Sequence, residues 1–341
     1  VCRAGFTPAE GWCLSTAHYD AKFNLRIAGT IVTLLIHVRK VLYPRDARQA
    51  LWQIKELGDR WSSSPTGRET VPVLIAESIS PGAKEILKSE RVGYYDSGGS
   101  LYVPAQGIHL YVDRPLPRPL SRSIRSLFSG RRAQVLHALL VHHGEWCRVK
   151  ELASKARVLS ATASQVLLEL EKYEWVVSRG LGPSKERRLT EPAALLDAWV
   201  KQHAMLPAPS MRRFFVPSVR EDRLVQFIAH VFADYDIDYA ITHEAAAQRY
   251  APFLSSVPRV HCRLLAGQNT EQALRELDAR VVSEGMNLAV IDVQSSDELL
   301  FCNQLEGVWL ASPIQVYLDL AHGDGRTKEL ADHLRRERIG F

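Results

Sequence analysis

Apolar and polar positions alternate along this chain with a period that changes several times, and the changes mark its elements. Between Arg131 and His143 the apolar residues Val135, Leu136, Leu139 and Leu140 fall at helical spacing, so one face of that segment must pack on something. Gly144 supplies a stop. Arg148 to Ala156 predicts one short amphipathic helix with Leu152 and Ala153 inward, and Arg157 to Leu159 a turn. A third helical pattern opens at Ser160, read as its N-cap, and continues to about Tyr173 with Ala163, Val166, Leu167 and Leu170 as its buried stripe. The period then shortens. Trp175 to Val177 predicts a strand, Gly180 to Pro183 a turn, and Glu186 to Leu189 a returning strand.

The polar positions of this stretch carry its candidate chemistry. Ser160, Thr162, Ser164 and Gln165 lie away from the buried stripe, and small or amide side chains early on a helix suit a major groove, where they reach base edges or phosphates. Arg179, Lys185, Arg187 and Arg188 fall on or beside the tip of the hairpin. A solvated surface hairpin would carry the same residue types. The order of three helices, turn and basic hairpin resembles the winged helix-turn-helix domains of bacterial transcription regulators, which implies a double-stranded DNA partner.

Upstream, the pattern predicts a polar or helical entry, strands over Phe23–Ile27 and Thr30–Arg39 about a turn at Gly29, and a helix after Pro44 with Ala47, Ala50, Leu51, Ile54 and Leu57 on one face. A polar loop from Trp61 to Glu69 leads to a strand at Val73–Ala76. A helix at Pro81–Ser89, a hairpin from Val92 to Val103 and a strand at Ile108–Val112 follow. Arg114 to Ser129, rich in Pro, Arg and Ser, is expected to be a linker. The stretch resembles the restriction-endonuclease-like fold, which pairs an Asp with a Glu-x-Lys on the next strand. Here Asp20 stands in the first place, but His37-Val38-Arg39 replaces the second, removing a hard oxygen ligand and the usual amine. The expectation is a nuclease-like scaffold without metal or catalysis. Asp96 reads as a turn residue.

Downstream, Pro192–Ala204 predicts a helix and Pro207–Ser210 a second linker. Helices at Leu224–Phe232, Glu244–Tyr250 and Thr270–Leu277 then alternate with strands at Tyr239–Thr242, Arg259–Leu265 and Asn287–Val293. Val308–Leu320 reads as one apolar helix and Thr327–Arg336 as a charged terminal helix. The region resembles a nucleotidyltransferase domain, yet Thr242-His243 and Val260-His261-Cys262 occupy the places of its Gly-Ser and Asp-x-Asp motifs. Without two carboxylates there is no two-metal clamp for phosphoryl transfer. His243 reads as a cap or surface residue.

Composition sharpens one point. The 341 residues carry 43 Lys and Arg against 38 Asp and Glu, a modest +5. Residues 117–190 alone hold 14 basic against 6 acidic side chains, leaving 29 against 32 elsewhere. Positive charge is therefore concentrated on the segment with the DNA-binding pattern, where phosphate neutralisation would use it. The longest apolar run, Ile31–Ile36, is too short to span a bilayer and is interrupted by Thr33, and no signal-peptide pattern opens the chain. The chain starts at Val1, so an upstream initiator Met is expected. Cysteines at 2, 13, 147, 262 and 302 fit neither a disulfide framework nor a zinc site, which suggests a reducing cytoplasm. Gly-rich phosphate loops are absent and no cofactor is expected.

The domain order, with Tyr94-Tyr95-Asp96-Ser97-Gly98-Gly99 ahead of the helical triplet and Ser312-Pro313-Ile314-Gln315-Val316-Tyr317 near the end, resembles the AbiEi-like antitoxins and regulators of bacterial type IV toxin-antitoxin systems. That resemblance implies an α+β multidomain protein with three parts. These are a degenerate restriction-endonuclease-like domain over 1–115, a linker and winged helix over 116–205, and a degenerate nucleotidyltransferase-like domain over 206–341. It further implies an autorepressor that acts as a homodimer on its operator, with a nucleotidyltransferase toxin encoded nearby as a second partner. A divergent metal-dependent nuclease using Asp20 and a protein-interaction module are the alternatives.

Overall fold

A computed structural model of the chain describes residues 20–27, 30–61, 70–105, 108–207, 209–217, 220–254, 256–321, 323 and 325–341. The expected polar or helical entry, the turn at Gly29 and the loop after Trp61 fall outside the described residues. The chain divides into two compact units, 1–122 and 123–341. Both mix helices and strands, so the molecule is α+β and multidomain.

The first unit is a six-stranded mixed sheet in strict sequence order, made of β1 (Ala21–Ile27), β2 (Thr30–Leu42), β3 (Thr70–Ile79), β4 (Gly93–Asp96), β5 (Leu101–Ala105) and β6 (Ile108–Val112). The central pairs β2–β3 and β3–β4 are parallel because α1 (Pro44–Trp61) and α2 (Pro81–Ser89) make the crossovers. Leu42, Leu51, Leu74, Ile79, Leu87 and Tyr94 form the core between helices and sheet. Ser80 caps α2 with Pro81 in its first turn, a start signal written plainly in the sequence. Asp96 does close the β4–β5 turn, accepting the Ser100 N–H at 3.0 Å, and it is also fully buried with Lys84 Nζ at 3.1 Å.

The linker expected over Arg114–Ser129 contains a helix, α3 (Arg118–Leu127). Pro119 is harmless in a first turn, and Leu120, Ile124 and Leu127 recur at helical spacing, with Leu120 and Leu127 buried.

The second unit opens with α4 (Gly130–Val141), the short strand β7 (Cys147–Arg148), α5 (Val149–Lys155), α6 (Ser160–Lys172), β8 (Val176–Arg179) and β9 (Glu186–Leu189). β9 lies between β7 and β8 in a small antiparallel sheet. Each helix buries the stripe its periodicity names: Val135, Leu136, Leu139 and Leu140 on α4, Leu152 and Ala153 on α5, Ala163, Val166, Leu167 and Leu170 on α6.

After α7 (Pro192–His203) come β10 (Arg212–Phe215), α8 (Glu221–Asp234), β11 (Tyr239–Thr242), α9 (His243–Tyr250), β12 (Val260–Leu265), α10 (Gln268–Glu276), β13 (Arg280–Val281) and β14 (Leu288–Val293). The chain ends with β15 (Asn303–Leu305), β16 (Val308–Leu310), α11 (Pro313–Leu320) and α12 (Arg326–Leu334). The sheet order is β13-β10-β14-β12-β11-β16-β15, with β12–β14 and β11–β16 parallel. Its inner strands β11 and β14 are buried nearly throughout, as the continuous apolar runs require.

The expectation of one helix over Val308–Leu320 is corrected. Val308–Leu310 is a strand pairing with β15 and β11, and Ser312-Pro313 starts the helix afresh, the Ser312 hydroxyl accepting the Gln315 N–H. The core of this unit is continuous from Leu127 to Ile339, so the α4–α6 group and the seven-stranded sheet share one apolar interior. No helix among the described residues is long and apolar enough to cross a membrane.

Candidate nucleic-acid interface

The connection from α5 to α6 fixes what α6 can present. α5 ends with Arg157 in the left-handed region at φ 50°, its N–H donating to Ser154 O and that of Val158 to Ala153 O, which closes the last turn of the helix. Only Val158 and Leu159 then remain before α6. Ser160 is consequently not the N-cap, contrary to expectation. Leu159 takes that place in extended conformation, its carbonyl accepting from Thr162 and Ala163, and Ser160 is the first helical residue. The N-cap side chain makes no hydrogen bond to the first amides of this helix.

Along α6 the buried stripe leaves Ser160 and Gln165 exposed and Thr162 and Ser164 half-exposed. Gln165 and Ser164 lie on the outer face with Ala161, and Ser160 and Thr162 lie at its two edges beside the buried stripe. Leu168 extends the same surface and is 48% exposed.

The hairpin behaves differently from its sequence. Gly180 at φ 75° and Gly182 at φ 58° allow the tight tip, and a Cβ on Gly180 would lie 3.1 Å from the Ser184 carbonyl oxygen. Arg187 is buried, which removes it from the set of phosphate contacts expected of this hairpin. Its Nε donates at 3.0 Å to Oε1 of Glu171, near the end of α6. The alternation of β9 causes this, since Arg187 and Leu189 share the inward face of the strand. The same Glu171 oxygen accepts Lys185 Nζ at 3.1 Å and the Ser178 hydroxyl at 3.1 Å. Burial opposes ionisation of Glu171, but the bonds from Arg187, Lys185 and Ser178 outweigh it and hold the carboxyl below the usual range.

Two cations stay on the outside. Arg179 is exposed, pairs with Glu186 at 2.8 Å and lies 4.2 Å from the ring centre of Trp146. Arg188 lies 4.8 Å from the same ring and is in no ion pair among the described residues. Trp146, immediately before β7, therefore lies against both guanidinium groups, of which Arg179 is also paired with Glu186. Sequence reasoning missed Trp146 and Glu171. Trp146 lies far in sequence from the hairpin, and the β7–β9 pairing brings it there, whereas Glu171 is in the last turn of α6 just ahead of β8 and reaches the hairpin by the way α6 packs.

The other candidate residues occupy two further places. In the first unit, Asp20 Oδ2 accepts the Val38 N–H at 2.5 Å, and Arg39 donates to the Val38 carbonyl and to Gln53. Burial lowers the pKa of the neighbouring His37 against the pull of Asp20. In the second unit, strand pairing sets Thr242 opposite His261, and the His243 and His261 rings stack 4.2 Å apart. Thr242 precedes α9 without a side-chain bond to its amides, and His243 is the helix's first residue, half-buried at φ 54°. The two sequence places read against nucleotidyltransferase motifs are thereby adjacent in space. Beside them Arg263 donates to buried Asp319 at 2.6 Å, and Asp319 also accepts from Thr242 and from Gln315. Burial opposes the Asp319 charge, yet Arg263 and the neighbouring donors push its pKa down to about 2.

Comparison of the chain with family models, with curated proteins and with solved structures finds no match.

Proposed function

We propose that this chain is a sequence-specific DNA-binding transcription regulator whose α4–β9 segment is a winged helix, with α6 as its recognition helix and the β8–β9 hairpin as its wing. The carrying observation is α6, whose apolar stripe is buried while Ser160 and Gln165 are exposed and Thr162 and Ser164 half-exposed, followed by a hairpin whose Arg179 and Arg188 lie against Trp146 outside the core. The concentration of basic residues over 117–190 supplies the sequence-independent attraction.

The biological setting follows from the AbiEi-like resemblance. The chain would act in the cytoplasm as an autorepressing antitoxin and a homodimer, with a nucleotidyltransferase toxin encoded nearby. In this reading the first unit is a restriction-endonuclease-like scaffold in which Asp20, at the place of the motif's Asp, is already bonded to backbone, and His37-Val38-Arg39 stands in place of Glu-x-Lys. The seven-stranded sheet is a nucleotidyltransferase-like body in which Thr242-His243 and Val260-His261-Cys262 stand in the places of the Gly-Ser and Asp-x-Asp motifs, with the His243 and His261 rings stacked.

Binding of the full chain to the sequence upstream of its own gene and to a scrambled duplex tests the proposal. Gln165→Ala is expected to lose discrimination at one base position at a cost of about 1 to 3 kcal/mol. Equal affinity of the unaltered chain for both duplexes would overturn sequence-specific recognition, and equal weakening by the variant would move Gln165 to the phosphates.

A further inference from the structure

The turn that leads into α6 borders a cleft of about 710 Å³ in the second unit. Among its lining residues are Arg157 of that turn, Asp236 and Asp238 between α8 and β11, Tyr239, Phe301 and Trp309. The volume is that of a small-molecule site.

Its charge is one-sided. Among the described lining residues Arg157 is the only cation, and it already has a counter-ion, its Nη1 lying 3.7 Å from Asp297 Oδ1. Asp236 and Asp238 are exposed and in no ion pair among the described residues. Trp309 is 42% exposed, and Tyr239 is fixed by its hydroxyl, which accepts the Trp309 N–H. Carboxylates beside aromatic rings in one concave surface are the means by which proteins hold organic cations, the rings attracting the charge through their quadrupole and covering the apolar body. Two lining residues, Asp236 at φ 50° and Phe301 at φ 63°, hold the left-handed backbone that non-glycine residues adopt at a cost.

We propose that this cleft binds an organic cation with a flat apolar body, Asp236 and Asp238 taking the charge and Trp309 and Phe301 the body. The segment that lines it also grips the helical triplet. Asp297 is approached by Arg131 at 3.4 Å and its carbonyl by Gln134 Nε2, while Arg131 donates to the Arg157 carbonyl at 3.1 Å. Occupancy of the cleft is therefore felt at the entry to α6, and the consequence that the cation regulates DNA affinity rests on the DNA-binding reading.

Calorimetric titration of the full chain with benzamidine, with its neutral analogue benzamide and with benzoate separates the possibilities. Saturable binding of benzamidine is expected, with benzamide and benzoate at least about ten-fold weaker. Asp236→Asn combined with Asp238→Asn should weaken benzamidine by about ten-fold or more, and so should Trp309→Ala. Both aspartates are exposed, so the double variant keeps the core, which circular dichroism checks. Failure of benzamidine to bind, equal binding of benzamide or benzoate, or undiminished affinity of the folded double variant would each overturn the site. DNA titrations with and without benzamidine then read the linkage. A shift in the wild type that the double variant lacks supports it, and binding of benzamidine with unchanged DNA affinity overturns it. A chain that binds benzamidine but no DNA would remove the DNA-binding reading and leave the cation site standing.

Discussion

Glu171 ties the two sides of the β8–β9 hairpin to the end of α6. One of its oxygens accepts from Ser178 on β8, from Lys185 at the turn and from Arg187 on β9, so the end of α6 is bonded to both sides of the hairpin. The Arg187 and Glu171 side chains are 8% and 12% exposed, and removing one partner of such a buried pair leaves the other charge without compensation. Arg187→Ala is expected to lower stability by roughly 3 kcal/mol and to leave the salt dependence of DNA binding unchanged. Arg188→Ala should do the reverse, reducing the slope of log affinity against log salt by about 1 at nearly constant stability. Denaturant titrations and a salt series on both variants check this. A slope that falls equally in the two would mean that Arg187 reaches the phosphates after all.

At the scale of elements, the wing depends on backbone that only glycine supplies cheaply. A methyl on Gly180 would meet both a left-handed φ and the Ser184 carbonyl, so Gly180→Ala is expected to cost about 1 to 2 kcal/mol in urea unfolding and to weaken DNA binding without altering which base pairs α6 prefers. A change in base preference would show instead that the hairpin reads sequence. The helices were legible because their stripes are long enough to fix a period, and the β8–β9 hairpin because its turn residues are diagnostic. The short strands β10, β13 and β15 escaped because two to four residues cannot establish an alternation, and β10 reads as a run of arginines and phenylalanines. α3 escaped because proline and serine outweighed a three-residue apolar spacing. The exposure of Gln165 follows from the period of α6, whereas the burial of Arg187 depends on the face β9 turns inward. The cleft was beyond reach of sequence, since its lining comes from three separate stretches.

On the scale of the whole second unit, the two groups of elements are joined through a histidine buried in the shared core. His137 projects from α4, its Nε2 lies 2.5 Å from the hydroxyl of Ser312 that caps α11, and its ring packs on Phe301 and Trp199. Burial, with a smaller contribution from Arg263, pushes its pKa down to about 4. His261 is lowered in the same direction by burial and by His243. Because the folded value lies below the unfolded one, near 6.5, the unfolded chain takes up the proton first as the pH falls. The stability of this unit is therefore complete above about pH 6.5 and declines between 6.5 and 4, by on the order of 3 kcal/mol for His137 alone. Asp319 has its own window below that, since its depressed carboxyl gives up stability only as the pH falls from its ordinary value of 3.8 toward about 2. His137→Gln keeps a side chain able to bond Ser312 and removes the proton uptake, so its unfolding free energy should be flatter than the wild type between pH 6.5 and 4. Denaturant titrations across that range read the difference, and parallel curves for the two proteins would show that His137 does not carry the acid sensitivity. If the curves diverge, acid loosens the contact between α4 and α11, and the helical triplet is destabilised together with the sheet, because the two have no separate cores.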